Sequence, residues 1–155
     1  MRLLVLAVGQ RQPAWAEAAW ADYARRFPPG IRLELNALKA EPRAGRSVAQ
    51  CVAAEAVRIE AACPKTARRI ALDERGQRRS SAELAQRLRA WRDDGRDAVL
   101  LIGGADGLAP ELVRSADESL RLSDLTLPHA LARVLLAEAL YRACTLLAGH
   151  PYHRA

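Results

Sequence analysis

The sequence is poor in cysteine and aromatic residues, and it contains no apolar run long enough to cross a bilayer. Its three cysteines, Cys51, Cys63 and Cys144, are odd in number, far apart and form no CxxC pair. That spacing excludes a disulfide framework and reads as reduced thiols in a reducing compartment. The apolar opening Leu3-Leu4-Val5-Leu6-Ala7-Val8 runs into Gly9-Gln10-Arg11 rather than a small-residue cleavage site. It reads as a buried strand, and the protein is expected to be soluble and cytoplasmic, with no membrane partner. There is no GxSxG, no HExxH and no Cys-His pair with a local signature, so hydrolase and zinc-enzyme chemistry lack support. His150-x-x-His153, with Cys144 upstream, lacks ordinary zinc-ligand spacing, and no metal is expected.

What is present is an ordinary globular balance over 155 residues, half of them hydrophobic and 27% charged, which fits one domain spanning residues 1–155. The net charge is +6, and arginine dominates the cations. A planar guanidinium donates paired hydrogen bonds to phosphates and base edges, so the excess points to nucleic acid. Plain solubility is the competing reading of the same charge.

Short apolar runs alternate with longer amphipathic stretches, the pattern of an α/β domain with a mostly parallel sheet. Strands are expected at about Arg2–Val8, Ile31–Leu38, Arg69–Leu72, Ala98–Ile102 and Ser119–Leu122. Helices are expected after Pro13, with Trp15, Ala19, Tyr23 and Phe27 on one face, and from Ser47 to Ala62, with Val48, Val52, Ile59 and Ala62 inward. Others begin at Ser80 or Ser81, where Glu83 completes a capping box, at Pro110, and at His129, the last continuing to Ala148. The polar segment Lys39–Arg46 reads as a mobile loop.

Two strand ends carry candidate ligand loops. Gly103-Gly104-Ala105-Asp106-Gly107 follows a continuously apolar strand and lets backbone amides approach a ligand, or it is a tight turn with no ligand. It is neither a Walker loop nor a dinucleotide fingerprint. Leu72-Asp73-Glu74-Arg75-Gly76 is expected at the same sheet edge. Glu138 and Arg142 stand four apart as a partly buried pair on the face of Leu131 and Leu135. The tail Tyr152-His153-Arg154 combines an aromatic ring with cations, which suits an RNA clamp as well as a frayed end.

Taken in order, Ile102-Gly103-Gly104-x-x-Gly107-Leu108, Leu122-Ser123-x-Leu125-Thr126-Leu127-Pro128-His129, Glu138-x-x-Tyr141-Arg142 and His150-Pro151-Tyr152-His153-Arg154 resemble one family. It is the RlmH family of bacterial 23S ribosomal RNA pseudouridine N3-methyltransferases, in the SPOUT superfamily. Ala7-Val8-Gly9, Leu72-Asp73-x-x-Gly76 and Ser80-Ser81-x-x-Leu84-Ala85 extend the resemblance over essentially the whole chain. It implies an α/β fold with a C-terminal trefoil knot, which topology rules alone replace with an unknotted doubly wound sheet.

The resemblance further implies a homodimer that uses S-adenosylmethionine to methylate N3 of a pseudouridine on the assembled ribosome. The methyl donor would be held by Leu72, Gly103, Gly104 and the run Leu122, Ser123, Asp124, Leu125, Thr126, Leu127. The partner's Tyr152, His153 and Arg154 would act as the catalytic tail, with His129 and Arg142 as positioning groups. Gln10 and Gln12 stand where lysines are frequent, and Ala139 where glutamine is, which puts local RNA contacts in question. A noncatalytic RNA- or ribosome-binding module and a flavodoxin-type regulator are the competing functions. The first predicts no S-adenosylmethionine binding; the second predicts flavin or phosphate binding.

Overall fold

The computed structural model describes residues 1–154, with side chains through Tyr152. Five parallel strands form one sheet in the order β2-β1-β4-β3-β5. They are β1 (Arg2–Val8), β2 (Arg32–Leu38), β3 (Arg68–Arg78), β4 (Ala98–Ile102) and β5 (Glu118–Arg121). The helices are α1 (Ala14–Arg25), α2 (Val48–Ala62), α3 (Ser81–Asp94), α4 (Pro110–Ser115) and α5 (His129–Ala148), followed by a 3-10 turn at Pro151–Arg154.

Central strands in a parallel sheet are covered on both faces and therefore read as unbroken apolar runs. β1 and β4 fit that rule. Leu3, Val5, Ala98 and Leu100 pack under α3 and α5, while Leu4, Leu6, Val99 and Leu101 pack under α2 and α4. Helix ends follow local chemistry. Ser47 with Gln50 and Ser80 with Glu83 form complete capping boxes, and left-handed Gly95 and Gly149 close α3 and α5.

Four sequence expectations need correction. On α1 the inward residues are Ala16, Trp20 and Tyr23, with Phe27 packed inward just past its end, whereas Trp15 is 53% exposed. On α2 the buried stripe is Cys51, Val52, Glu55 and Ile59, and Val48 lies outside it. The strict four-residue repeat expected on α1 drifts around a 3.6-residue helix and carries Trp15 off the stripe, while Val48 is the first residue of α2. The segment Lys39–Arg46 is not a free loop: Glu41 is buried and bound by Arg46 and Arg58. β3 also runs past Leu72. Both Leu72 and Gln77 pair with Leu120, so residues 73–76 form an excursion within the strand. There a Cβ on Gly76 would lie 2.8 Å from the Leu120 backbone, closer than real contacts allow.

One partly buried cluster ties the β3–β5 edge to α3. Glu118 accepts from the Trp91 indole at 2.8 Å, from Arg87 Nε at 3.0 Å and from Arg68 at 3.2 Å. Burial raises its carboxyl, but the bonds from Arg87 and Trp91 outweigh that and hold it below the ordinary value. A depressed carboxyl stabilises the fold fully above the ordinary value of 4.5, and that stability is lost as pH falls through the lower folded value. Glu118→Gln is expected to cost roughly 1–3 kcal/mol at neutral pH. Urea denaturation at pH 7 and below pH 4 checks this, because the gap from the parent should shrink in acid.

Candidate functional site

Beyond the carboxyl ends of β3, β4 and β5, one pocket is lined by Leu72, Gly103, Gly104, Leu122, Ser123, Leu125, Thr126 and Leu127. These are eight of the nine residues expected to hold a cofactor. Asp73, Glu74 and His129 complete its rim. Asp124 stands apart in the neighbouring cleft of Arg78, Arg79 and Ser80. Arg121 at 3.0 Å and Arg78 at 2.8 Å hold it there and lower its carboxyl.

The turn after β4 is built from backbone. Gly107 N–H donates to the Gly104 carbonyl at 3.1 Å. A Cβ on Gly103 would lie 2.3 Å from the Gly107 carbonyl carbon and 2.5 Å from Leu108 N, so the turn closes only without side chains. Its apolar walls suit a flat heterocycle, its backbone offers donors and acceptors, and Asp73 and Glu74 favour a cationic ligand. Among the described residues, Arg121 is the only Lys or Arg on the lining, so the pocket is poorly suited to a polyphosphate.

The tail lies elsewhere on the chain. Tyr152 packs edge-on against Tyr141 with centroids 4.7 Å apart, and its hydroxyl donates to Glu138 at 3.2 Å. Burial raises this phenol above its ordinary value. Arg142 bonds Glu138 at 2.7 Å and lies 5.0 Å from the Tyr152 ring centroid, so the expected pair is present and carries the tail. Leu131 and Leu135 beside it remain 39% and 40% exposed. Glu138 is nine residues along α5 from His129, about 14 Å of helix. A chain therefore seats its own Tyr152 away from its own pocket. The side chains of His153 and Arg154 lie outside the described residues.

Sequence reasoning missed Glu55 and Arg133, two charged residues inside apolar stripes. Glu55 falls midway between Cys51 and Ile59, and Arg133 precedes Leu136, Ala137 and Leu140. Helical spacing was the available signal for both. Arg133 is 3% exposed and donates to the Val8 and Gly9 carbonyls at 3.1 and 2.6 Å. Burial alone lowers its basicity. It anchors α5 to the end of β1 beside the pocket. Cys144 is buried, with its thiol pushed up to about 12, and no metal-binding group of three His, Cys, Asp or Glu side chains forms among the described residues. No helix among them is long and apolar enough to cross a membrane.

Comparison with known proteins gives consistent matches. Residues 1–153 match the family described as Predicted SPOUT methyltransferase. A protein of Methylibium petroleiphilum named Ribosomal RNA large subunit methyltransferase H is 65% identical over 155 residues, covering 99% of each chain. A protein of the same name from Leptothrix cholodnii is 63% identical with the same coverage. Among solved structures, a putative methylase family protein from Neisseria gonorrhoeae superposes with a TM-score of 0.55. It is 16% identical and aligns over 96% of this chain and 93% of its own, a likeness of fold.

Gly103→Ala is expected to push the turn open and lower the melting temperature by several degrees, as close-packing clashes do. Ala105→Ser, on the exposed part of the turn, should leave it within about a degree. Equal melting temperatures for both variants in a thermal-unfolding scan would show that the turn is not held by backbone contact.

Proposed function

The chain belongs to the SPOUT methyltransferase family, and from that membership we propose that it methylates large-subunit ribosomal RNA with S-adenosylmethionine as donor. The observation that carries this reading is identity of 65% along nearly the full length of a ribosomal RNA large subunit methyltransferase. The acceptor is N3 of a pseudouridine in 23S RNA, met on the assembled ribosome in the cytoplasm. Residues 1–155 act as one domain, and two copies form the working enzyme.

The pocket suits the donor. Its apolar walls and open backbone groups fit adenosine, and Asp73 and Glu74 complement a cationic sulfonium. S-adenosylmethionine supplies an electrophilic methyl group, and alignment is left to the protein. Leu72, Gly103, Gly104, Leu122, Ser123, Leu125, Thr126 and Leu127 would hold the donor. Tyr152 of the other copy covers it, His153 accepts the N3 proton, and Arg154 stabilises the charge left on the base. Ring atoms paired or stacked in a duplex are out of reach, which favours a loop nucleotide.

Two further features belong to this reading: a C-terminal trefoil knot, which membership of the family implies, and a homodimer. A homodimer fits Trp15, Leu131 and Leu135, exposed on the packed helices α1 and α5. It also fits the placement of Tyr152 away from its own pocket.

Calorimetry should show S-adenosylmethionine binding that Gly103→Val abolishes, and the parent should transfer labelled methyl to ribosomes carrying the unmodified pseudouridine. A folded parent that binds no donor would leave the noncatalytic RNA-binding module as the better account. If the site is shared, Gly103→Val and His153→Ala are each inactive alone. Co-expressed, they should recover about a quarter of parental activity, because half the random dimers carry one intact site of two. No recovery, with Gly103→Val shown folded and dimeric, would place the tail on its own chain's pocket.

A further inference from the structure

The glycine turn has a second side, turned away from the pocket. Behind it stands Glu55 of α2, a carboxylate 2% exposed. A Cβ added to Gly104 would lie 3.0 Å from Glu55 Oε1 and 3.2 Å from Oε2, so the carboxylate rests against the turn. Its partners come from the segment before α2. Glu41 N–H donates to Oε2 at 3.0 Å, and Arg43 Nη1 donates to the same oxygen at 2.9 Å. Arg43 then reaches across: its Nε bonds Asp106 Oδ2, within the turn, at 3.1 Å. One guanidinium thus joins the buried carboxylate behind Gly104 to the outer edge of the same turn. The backbone of Gly103 and Gly104 lines the pocket on the other side.

We propose that Arg43 and Glu55 are positioning residues for the methyl donor, fixing the Gly103–Gly107 turn from behind without touching the donor. The inference rests on the methyltransferase reading of the pocket. A buried carboxylate with a single guanidinium partner has a strong preference for one geometry, because separating them leaves an unpaired charge in an apolar wall. The turn that packs on this pair is held to that geometry. Donor affinity is then coupled to a contact that lies outside the pocket lining.

Steady-state kinetics on ribosomes tests this with Arg43→Ala, Asp106→Ala, the double variant and Glu55→Gln. In Arg43→Ala the KM for S-adenosylmethionine should rise about tenfold, while kcat at saturating donor and KM for ribosomes stay within about twofold. Asp106→Ala should give about a threefold rise, and the double variant should be no worse than Arg43→Ala, because the two changes break one linkage. A role confined to stability would lower the melting temperature without this split. Glu55→Gln should reproduce the KM effect. If it fails to fold, the Arg43 and Asp106 variants still decide, since both side chains are about one-third exposed. Donor KM unchanged in both, or additive effects in the double variant, would overturn the proposal. A parent that binds no donor would instead overturn the methyltransferase reading, a result visible before any variant is made.

Discussion

Backbone lying directly on backbone is the constraint from which the pocket follows. At Gly103 the chain passes so near Gly107 and Leu108 that a single added carbon would overlap them, and at Gly76 it lies only a little less tightly on Leu120. Both contacts sit at the carboxyl ends of β3, β4 and β5, where an open parallel sheet presents unpaired peptide groups. Bringing these stretches together without side chains leaves those groups facing one small volume. Leu122, Leu125 and Leu127 then supply the apolar walls. Recognition of this kind needs no conspicuous side chain, so the pocket carries few of the residue types by which active sites are usually found.

Charge is arranged around this backbone core in short, closed sets. Glu118 ties α3 to the β3–β5 edge, Glu41 pins the segment before α2, and Glu55 backs the glycine turn. Each of these carboxylates is largely withdrawn from water and meets at least one guanidinium. Removing one partner from such a set costs more than an exposed pair does, because the other charge stays where it is. Many of the arginines are thus engaged within the chain, but each pair cancels one charge of each sign and leaves the net charge of +6 undiminished.

The elements were legible because their signals are local. The unbroken apolar runs of β1 and β4, the capping boxes at Ser47 and Ser80, and the glycines after α3 and α5 each act within a few residues. Most of the pocket was legible only through the ordered resemblance of whole motifs, since no single glycine or leucine in it is diagnostic. What stayed hidden depends on distant parts of the chain. The extension of β3 past Leu72 is decided by pairing with β5, some fifty residues later. Glu55 and Arg133, which sequence reasoning missed, are shown as buried only once the fold sets which helix face is inward. Lys39–Arg46 looked free because its anchor, Arg58, lies beyond it on α2.

The ion pairs share one further property. Among the described residues, every one has arginine as its cation, from Arg2–Glu34 to Arg142–Glu138. A guanidinium does not surrender its proton under cellular conditions. The cationic half of each pair is consequently silent to pH throughout the range in which cells live. Dissolved ions are the remaining influence, and they screen the exposed pairs far more than the sheltered ones. A change in salt would thus loosen the periphery first and reach the carboxylates behind the pocket last.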